Sequence, residues 1–367
     1  MKLIYISSST LFSKSANSLH VMKMANSFSK IFDEVHLLVR DIIKKDNPYK
    51  YYDVDQKFII KNSKSNKYKL FSPFVYAIKA LIYCAKEYKK GGTFFYGRDI
   101  LSIFLLSLIF NNVSIEVHDI PTSVLKKAIL KFLTKSKRLN KVVVISEALK
   151  EDFIKLTKFK ENNIIVAHDG ADSQDFSEKE NRTKFGYIGS INQGRGIELI
   201  LNLADIFTDK EFHIIGGNYD DIITKLNIDK IPENVICHGY LSQIEIKRMI
   251  KEFYIVFAPY QSKVGVSKKG IDTSKWMSPI KIFEYMSYGK AIITSDLPVL
   301  KEVIKDNYNG LFSNPSNVDE WANQIKYLLD NDNVHYSIKK NAYNTLETKY
   351  TWDSRAKLIQ KEMEKLR

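Results

Sequence analysis

The feature that most constrains this chain is an alternation: short, continuously apolar runs recur with helix-period segments between them. The first series reads "KLIYIS" (2–7), "EVHLLVR" (34–40), "TFFYGR" (93–98), "SIEVHD" (114–119), "KVVVIS" (141–146) and "NIIVAH" (163–168). After a polar stretch, "DSQDFSEKENRT" (172–183), come "KFGYIG" (184–189), "FHIIGG" (212–217), "NVICHG" (234–239), "YIVFAPY" (254–260) and "AIITSD" (291–296). Unbroken apolar runs are what parallel strands buried on both faces require. Segments at 197–207, 242–252 and 318–330 have helical periodicity and supply crossovers. Two βαβ series in succession predict an α/β protein of two doubly wound, Rossmann-like parallel-sheet domains, 1–176 and 177–351, facing across a cleft. A charged closing helix, 352–367, is free to pack back on the first. The 367 residues suffice for each domain to bury its own core.

Other classes fall away on specific residues. Cys84 and Cys237 show no CxxC or Cys/His spacing, which argues against a disulfide framework or a zinc site. A single Lys before a strand-length run does not read as a signal peptide. The apolar run 100–110 is shorter than a membrane span and reads as a buried helix capped by Asp99. The expected location is the cytoplasm. "LIYISSSTLF" has no glycine for a dinucleotide fingerprint. "GSINQGRG" (189–196) imitates a P-loop, yet Gly196 stands where Ser or Thr would hold magnesium. "DVD" (53–55) reads as a solvated turn, and no basic-plus-aromatic module for nucleic acid is present.

The block that carries chemistry is "WMSPIKIFEYMSYGKAIITSDLP" (276–298). Ser278 reads as an N-cap and Pro279 as the first helical residue. The free N–H groups of that helix start would attract phosphate. Ile280, Phe283 and Met286 suit the buried side, and Glu284 can accept two hydrogen bonds from a ribose diol. Lys281 is badly placed for the helix dipole, which suits a diphosphate. An exposed helix surface accounts for Lys281 and Glu284 equally well.

This block resembles the E-x7-E region of the retaining GT-B glycosyltransferases of glycosyltransferase family 4. "YIGSINQGRGIELIL" (187–201), "FHIIGG", "NVICHGYLS" (234–242), "HDGADSQDF" (168–176), "ISEALKEDF" (145–153) and "YTWDSRA" (350–356) are similar to other parts of that family. The resemblance covers nearly the whole chain. It implies transfer of a sugar from a nucleotide diphosphate to an acceptor hydroxyl with retention, with no metal or other cofactor. It places Glu284 on the nucleotide ribose and Arg195 on the donor diphosphate. Gly189, Ser190, Gly216, Gly239, Tyr240, Ser278, Pro279, Ile280 and Lys281 join them in the nucleotide site. The family's first glutamate falls at Trp276 and its arginine at Ser190, so Lys281 is expected to restore the missing charge. His118 matches a histidine near the donor sugar, giving His118, Arg195 and Glu284 as the catalytic set. Ser15, Ala16, His20, Arg98 and Asp119 fall on the acceptor side, where the family's glycine-rich loop is here serine-rich. A structural His118, and Arg98-Asp99 as a plain helix cap, remain alternatives. The family's roles imply bacterial surface-polysaccharide or lipid-linked glycan assembly. A sugar-nucleotide epimerase, or a non-catalytic binding protein on the same scaffold, competes with this reading.

Charge is unevenly placed. Residues 1–170 hold 29 Lys and Arg against 15 Asp and Glu, whereas the remainder holds 27 of each. The net +14 therefore belongs to the first half and points to an anionic membrane or phospholipid-linked acceptor, or to a merely Lys-rich composition. In "SVLKKAILKFLTKSKRLNK" (123–141), Val124, Leu125, Ala128, Ile129, Phe132 and Leu133 form a stripe among lysines. Such a helix lies on anionic lipid at the inner face of a membrane, or packs its stripe on a core.

Overall fold

The structure is a computed structural model and describes residues 1–13, 16–176, 178–263 and 274–365. Two compact units emerge, Met1–His168 with Trp352–Arg367, and Asp169–Thr351. The division falls at His168, ahead of the boundary expected at 176, and the closing helix counts with the first unit.

The first unit is built on β1 (Lys2–Ile6), β2 (Glu34–Val39), β3 (Ile59–Asn62), β4 (Thr93–Gly97), β5 (Val113–Val117), β6 (Leu139–Val144) and β7 (Ile164–Val166). They form one parallel sheet in the order β3-β2-β1-β4-β5-β6-β7. In the second unit β8 (Asn181–Ile188), β9 (Glu211–Ile215), β10 (Val235–Cys237), β11 (Phe253–Ala258), β12 (Ala291–Ser295) and β13 (Leu311–Ser313) pair in parallel as β10-β9-β8-β11-β12-β13. Strand order reverses beside the first strand of each sheet, and ligands of doubly wound sheets bind at that switch point. The central strands β1, β4, β5, β6, β11 and β12 are buried along their whole length, as the unbroken apolar runs predict. Of the strands in these two sheets, β3 and β13 escape the sequence pattern. β3 is a half-exposed edge reading IIKN, and β13 reads LFS, with only two apolar residues.

On the first sheet pack α1 (Ala16–Phe28), α2 (Ser72–Glu87), α3 (Ile100–Ser107) and α4 (Val124–Leu133). Asp99 caps α3, its Oδ1 accepting the Ser102 N–H at 2.9 Å. α2 packs beside α3 and α3 beside α4, while α1 packs against the closing helix Trp352–Glu364. In the second unit α5 (Ile197–Ile206) follows Gly196, and α6 (Ile280–Ser287) precedes β12. Gly196 has φ +71°, and a Cβ there would lie 1.9 Å from the Pro259 carbonyl oxygen. Only glycine lets the loop after β8 cross the end of β11 so closely.

Candidate functional site

The second unit's site grows from the carboxyl end of β8. Gly189 and Ser190 follow that strand, Arg195 lies in the loop leading to α5, and the first two turns of α6 supply Lys281 and Glu284. Tyr285 fastens these parts together: its hydroxyl accepts the Ile188 N–H at 2.9 Å and donates to the Phe257 carbonyl at 3.2 Å. That ties α6 to β8 and β11 at the switch point. The α6 cap differs from expectation. Pro279, not Ser278, occupies the N-cap, with φ −78° and ψ 106°, and Ile280 is the first helical residue. Ser278 is buried because its Oγ accepts the Asp169 N–H at 2.7 Å, and no side chain caps α6. The buried face is Ile282, Phe283, Tyr285 and Met286, and Ile280 is only half-buried. Lys281 and Glu284, three residues apart, share the partly exposed edge.

Lys281 has an aromatic seat. Its Nζ lies 3.9 Å from the Tyr187 ring centroid and 5.1 Å from that of Tyr260, whose ring also has the Arg195 Cζ at 5.4 Å. A Cβ on Gly189 would fall 2.5 Å from the Lys281 Nζ, so the ammonium occupies the space where position 189 has no side chain. Tyr187 donates to the Ser190 carbonyl at 2.7 Å. Burial first, and Arg195 second, push the Lys281 ammonium well below its ordinary value, with Glu284 pulling the other way. Among the described residues, two cations held close on aromatic faces, against one carboxylate, make a place whose electrostatics improve when a polyanion arrives. Gly216 and Gly239 meet at the neighbouring strand ends. The Gly216 N–H donates to the Gly239 carbonyl at 2.7 Å, and the Gly239 N–H to the Gly217 carbonyl at 3.1 Å. Tyr240, next to them, is exposed, and Trp276 is half-buried with Lys275 beside its ring.

In the first unit the structure gathers His20, Arg98 and His118 around a residue that sequence reasoning passed over, Glu116. This carboxylate sits fully buried on β5. Its Oε1 accepts from Arg355 Nη2 at 3.1 Å and from His118 Nε2, and its Oε2 accepts from the Tyr96 hydroxyl. Arg98 Nη1 donates to His20 Nδ1 at 2.7 Å, which leaves the His20 Nε2 to carry the proton, 3.4 Å from Glu116 Oε1. Burial raises the Glu116 carboxyl, but Arg355 and His118 outweigh it and hold it well below the usual carboxylate range. Burial and then Arg98 push His20 well below its ordinary value. The donor atoms of His20, Glu116 and His118 lie within 4.8 Å of one another, a metal-like grouping. Two guanidiniums already bond this trio, so it is a buried ion network that fixes the closing helix. Asp119 is exposed one residue on, Ala16 opens α1, and Ser15 lies outside the described residues. The signal for Glu116 was present: a charge inside a run buried on both faces must be paired. Tyr187 and Tyr260 left no such signal, because they read as ordinary strand residues.

Comparison with known proteins fits this geometry. The structure matches that of Anabaena HepE in complex with UDP, with a TM-score of 0.69 and 13% identity over 98% of this chain and 99% of that one. The fold is therefore GT-B, a pair of Rossmann-like domains. Residues 169–345 match the family model described as glycosyl transferases group 1. The poly(ribitol-phosphate) alpha-N-acetylglucosaminyltransferase of Staphylococcus aureus is 24% identical over 64% of this chain and 45% of its own length. The N,N'-diacetylbacillosaminyl-diphospho-undecaprenol alpha-1,3-N-acetylgalactosaminyltransferase of Campylobacter jejuni is 31% identical over 40% of this chain and 36% of its own. The chain spans about half the length of the curated relatives it matches. Together these matches show a GT-B fold whose residues 169–345 are similar to glycosyl transferases group 1. Among the described residues, no helix is long and apolar enough to cross a membrane.

Proposed function

We propose that this chain transfers a sugar from a nucleotide diphosphate donor to an acceptor hydroxyl with retention of anomeric configuration, as a member of glycosyltransferase family 4. The observation that carries the reading is the Lys281–Arg195 pair beside Glu284, inside the segment that matches glycosyl transferases group 1. In this reading Arg195 and Lys281 take the donor diphosphate, and Glu284 takes the ribose diol. Their cationic charge answers the charge that builds on the leaving diphosphate, so the reading calls for no metal. Lys281 supplies what the family's arginine would supply from position 190, since its ammonium already lies against Gly189. His118 faces the donor sugar, with Arg98, Asp119 and the start of α1 on the acceptor side. The substrate class follows the relatives: one is named for a poly(ribitol-phosphate) acceptor and another for a diphospho-undecaprenol-linked one. We therefore place the chain in bacterial surface-polysaccharide or lipid-linked glycan assembly, in the cytoplasm and peripheral at the inner membrane face.

The test is a product assay with a panel of nucleotide sugars and lipid-linked or polyol-phosphate acceptors. The expected result is nucleoside diphosphate release that depends on the acceptor, with the product anomer matching the donor by NMR. An inverted anomer would reject retention. Conversion of the donor to an epimer without any acceptor would reject transfer itself.

A further inference from the structure

We propose that the three-helix face formed by α2, α3 and α4 is a docking surface for an anionic lipid bilayer. This deepens the peripheral placement in the reading above, and it rests on side chains remote from the candidate chemistry. α2 exposes Phe74, Ile78 and Ile82, spaced four residues apart, opposite its buried Tyr76, Ala80 and Cys84. Leu70 and Phe71, just before α2, also face solvent, Leu70 at 88% exposure. α3 runs out into exposed Leu108 and Ile109. On α4 the structure separates the two roles that the sequence left open. Leu130 and Leu133 face the core, while Val124, Leu125 and Phe132 point outward, Val124 at 83% exposure. The helix ends at Leu133, so 134–141 do not extend it. Single exposed apolar side chains are ordinary, but such sets on adjacent packed helices mark an interaction surface.

Charge selects the partner. Segments 66–86, 100–112 and 123–138 contain ten Lys and Arg and no Asp or Glu. Lys79 Nζ lies 5.3 Å from the exposed Tyr68 ring and Lys135 Nζ 5.7 Å from that of Phe132, which keeps ammonium groups beside apolar tips. Apolar tips below a layer of cations suit acyl chains below anionic headgroups. A second copy of the same face would set like charge against like.

The experiment is vesicle sedimentation of the full chain with phosphatidylcholine alone and with phosphatidylcholine mixed with phosphatidylglycerol. Binding should require the mixed vesicles and weaken with salt. The double variant Ile78→Asp, Leu125→Asp should lower partitioning at least about tenfold, as should Lys126→Glu with Lys131→Glu. Ile244→Asp, at an exposed site on the second unit, should not. Both altered apolar sites are exposed, so thermal melts should match the parent. Three results would overturn the proposal: no binding to mixed vesicles, binding indifferent to Ile78→Asp with Leu125→Asp, or a soluble dimer that this variant breaks. The assay contains no donor or acceptor, so failure of the transferase reading leaves its outcome untouched.

Discussion

The two units set the same strand order to opposite electrostatic ends. Each sheet runs 3-2-1-4-5-6 in its own numbering, the first adding a seventh strand, and each brings cations together near the strand ends. In the first unit the cations Arg98 and Arg355 are consumed internally, one by His20 and the other by the buried Glu116. In the second, Arg195 and Lys281 rest on Tyr260 and Tyr187, and among the described residues the carboxylate beside them, Glu284, is on a partly exposed helix edge. The difference teaches that a buried charge cluster is not by itself a binding site. What marks a site is a cluster whose cations are desolvated against aromatic faces rather than spent on buried polar partners.

Removing Glu116 should have the largest effect. Glu116→Ala leaves Arg355 and the two histidines buried without their anion and should cost about 3–5 kcal/mol, read by denaturant unfolding. The pH dependence has the same origin. Glu116 has a depressed folded-state value, so its contribution is present above the unfolded carboxylate value and is lost as pH falls through the folded one. His20 is depressed too. Below its ordinary 6.5 the unfolded chain takes a proton that the folded chain refuses, so stability also falls toward acid. Glu116→Gln should remove the lower-pH part of that loss and leave the histidine part.

Gly196→Ala should come next. The substitution puts a side chain at φ +71° against the Pro259 carbonyl and should cost about 1–3 kcal/mol or more. If it left both stability and nucleotide binding unchanged, the close crossing of the β8 loop over β11 would be wrong.

Lys281→Ala tests the other side of the comparison and should weaken nucleoside diphosphate binding at least tenfold, or ~1.4 kcal/mol, by calorimetry. A diphosphate selects the protonated amine, whose value is depressed in the free protein. Affinity should therefore fall as pH rises through that depressed value, and Lys281→Met should flatten the slope. The second unit thus weakens in binding toward base where the first weakens in stability toward acid. The smallest effect is a rescue. Ser190→Arg added to Lys281→Ala should recover ~0.5–1 kcal/mol of binding, because the new guanidinium reaches the site from an exposed position.

Much of the scaffold is legible in the sequence because fully buried parallel strands must be written as unbroken apolar runs. Edge strand β3, reading IIKN, and β13, reading LFS, are not, since neither holds more than two apolar residues in succession. For the site, Lys281 stands out by its clash with the helix dipole, and Glu284 by its spacing from the helix start. Their aromatic seat does not stand out, because Tyr187 and Tyr260 are brought to Lys281 by tertiary packing from β8 and from the end of β11. The cap lies one residue beyond Ser278 because Ser278 finds a distant partner, the Asp169 N–H, that local pattern cannot reveal.

The central claim is that Arg195 and Lys281 hold a nucleoside diphosphate. Isothermal titration of the full chain with UDP, GDP, ADP and dTDP tests it most directly, with the corresponding nucleosides as controls and Lys281→Ala alongside. The account predicts saturable binding of at least one diphosphate, much weaker binding of its nucleoside, and loss of that difference in Lys281→Ala. Equal binding of nucleoside and diphosphate, or a diphosphate affinity indifferent to Lys281, would contradict it.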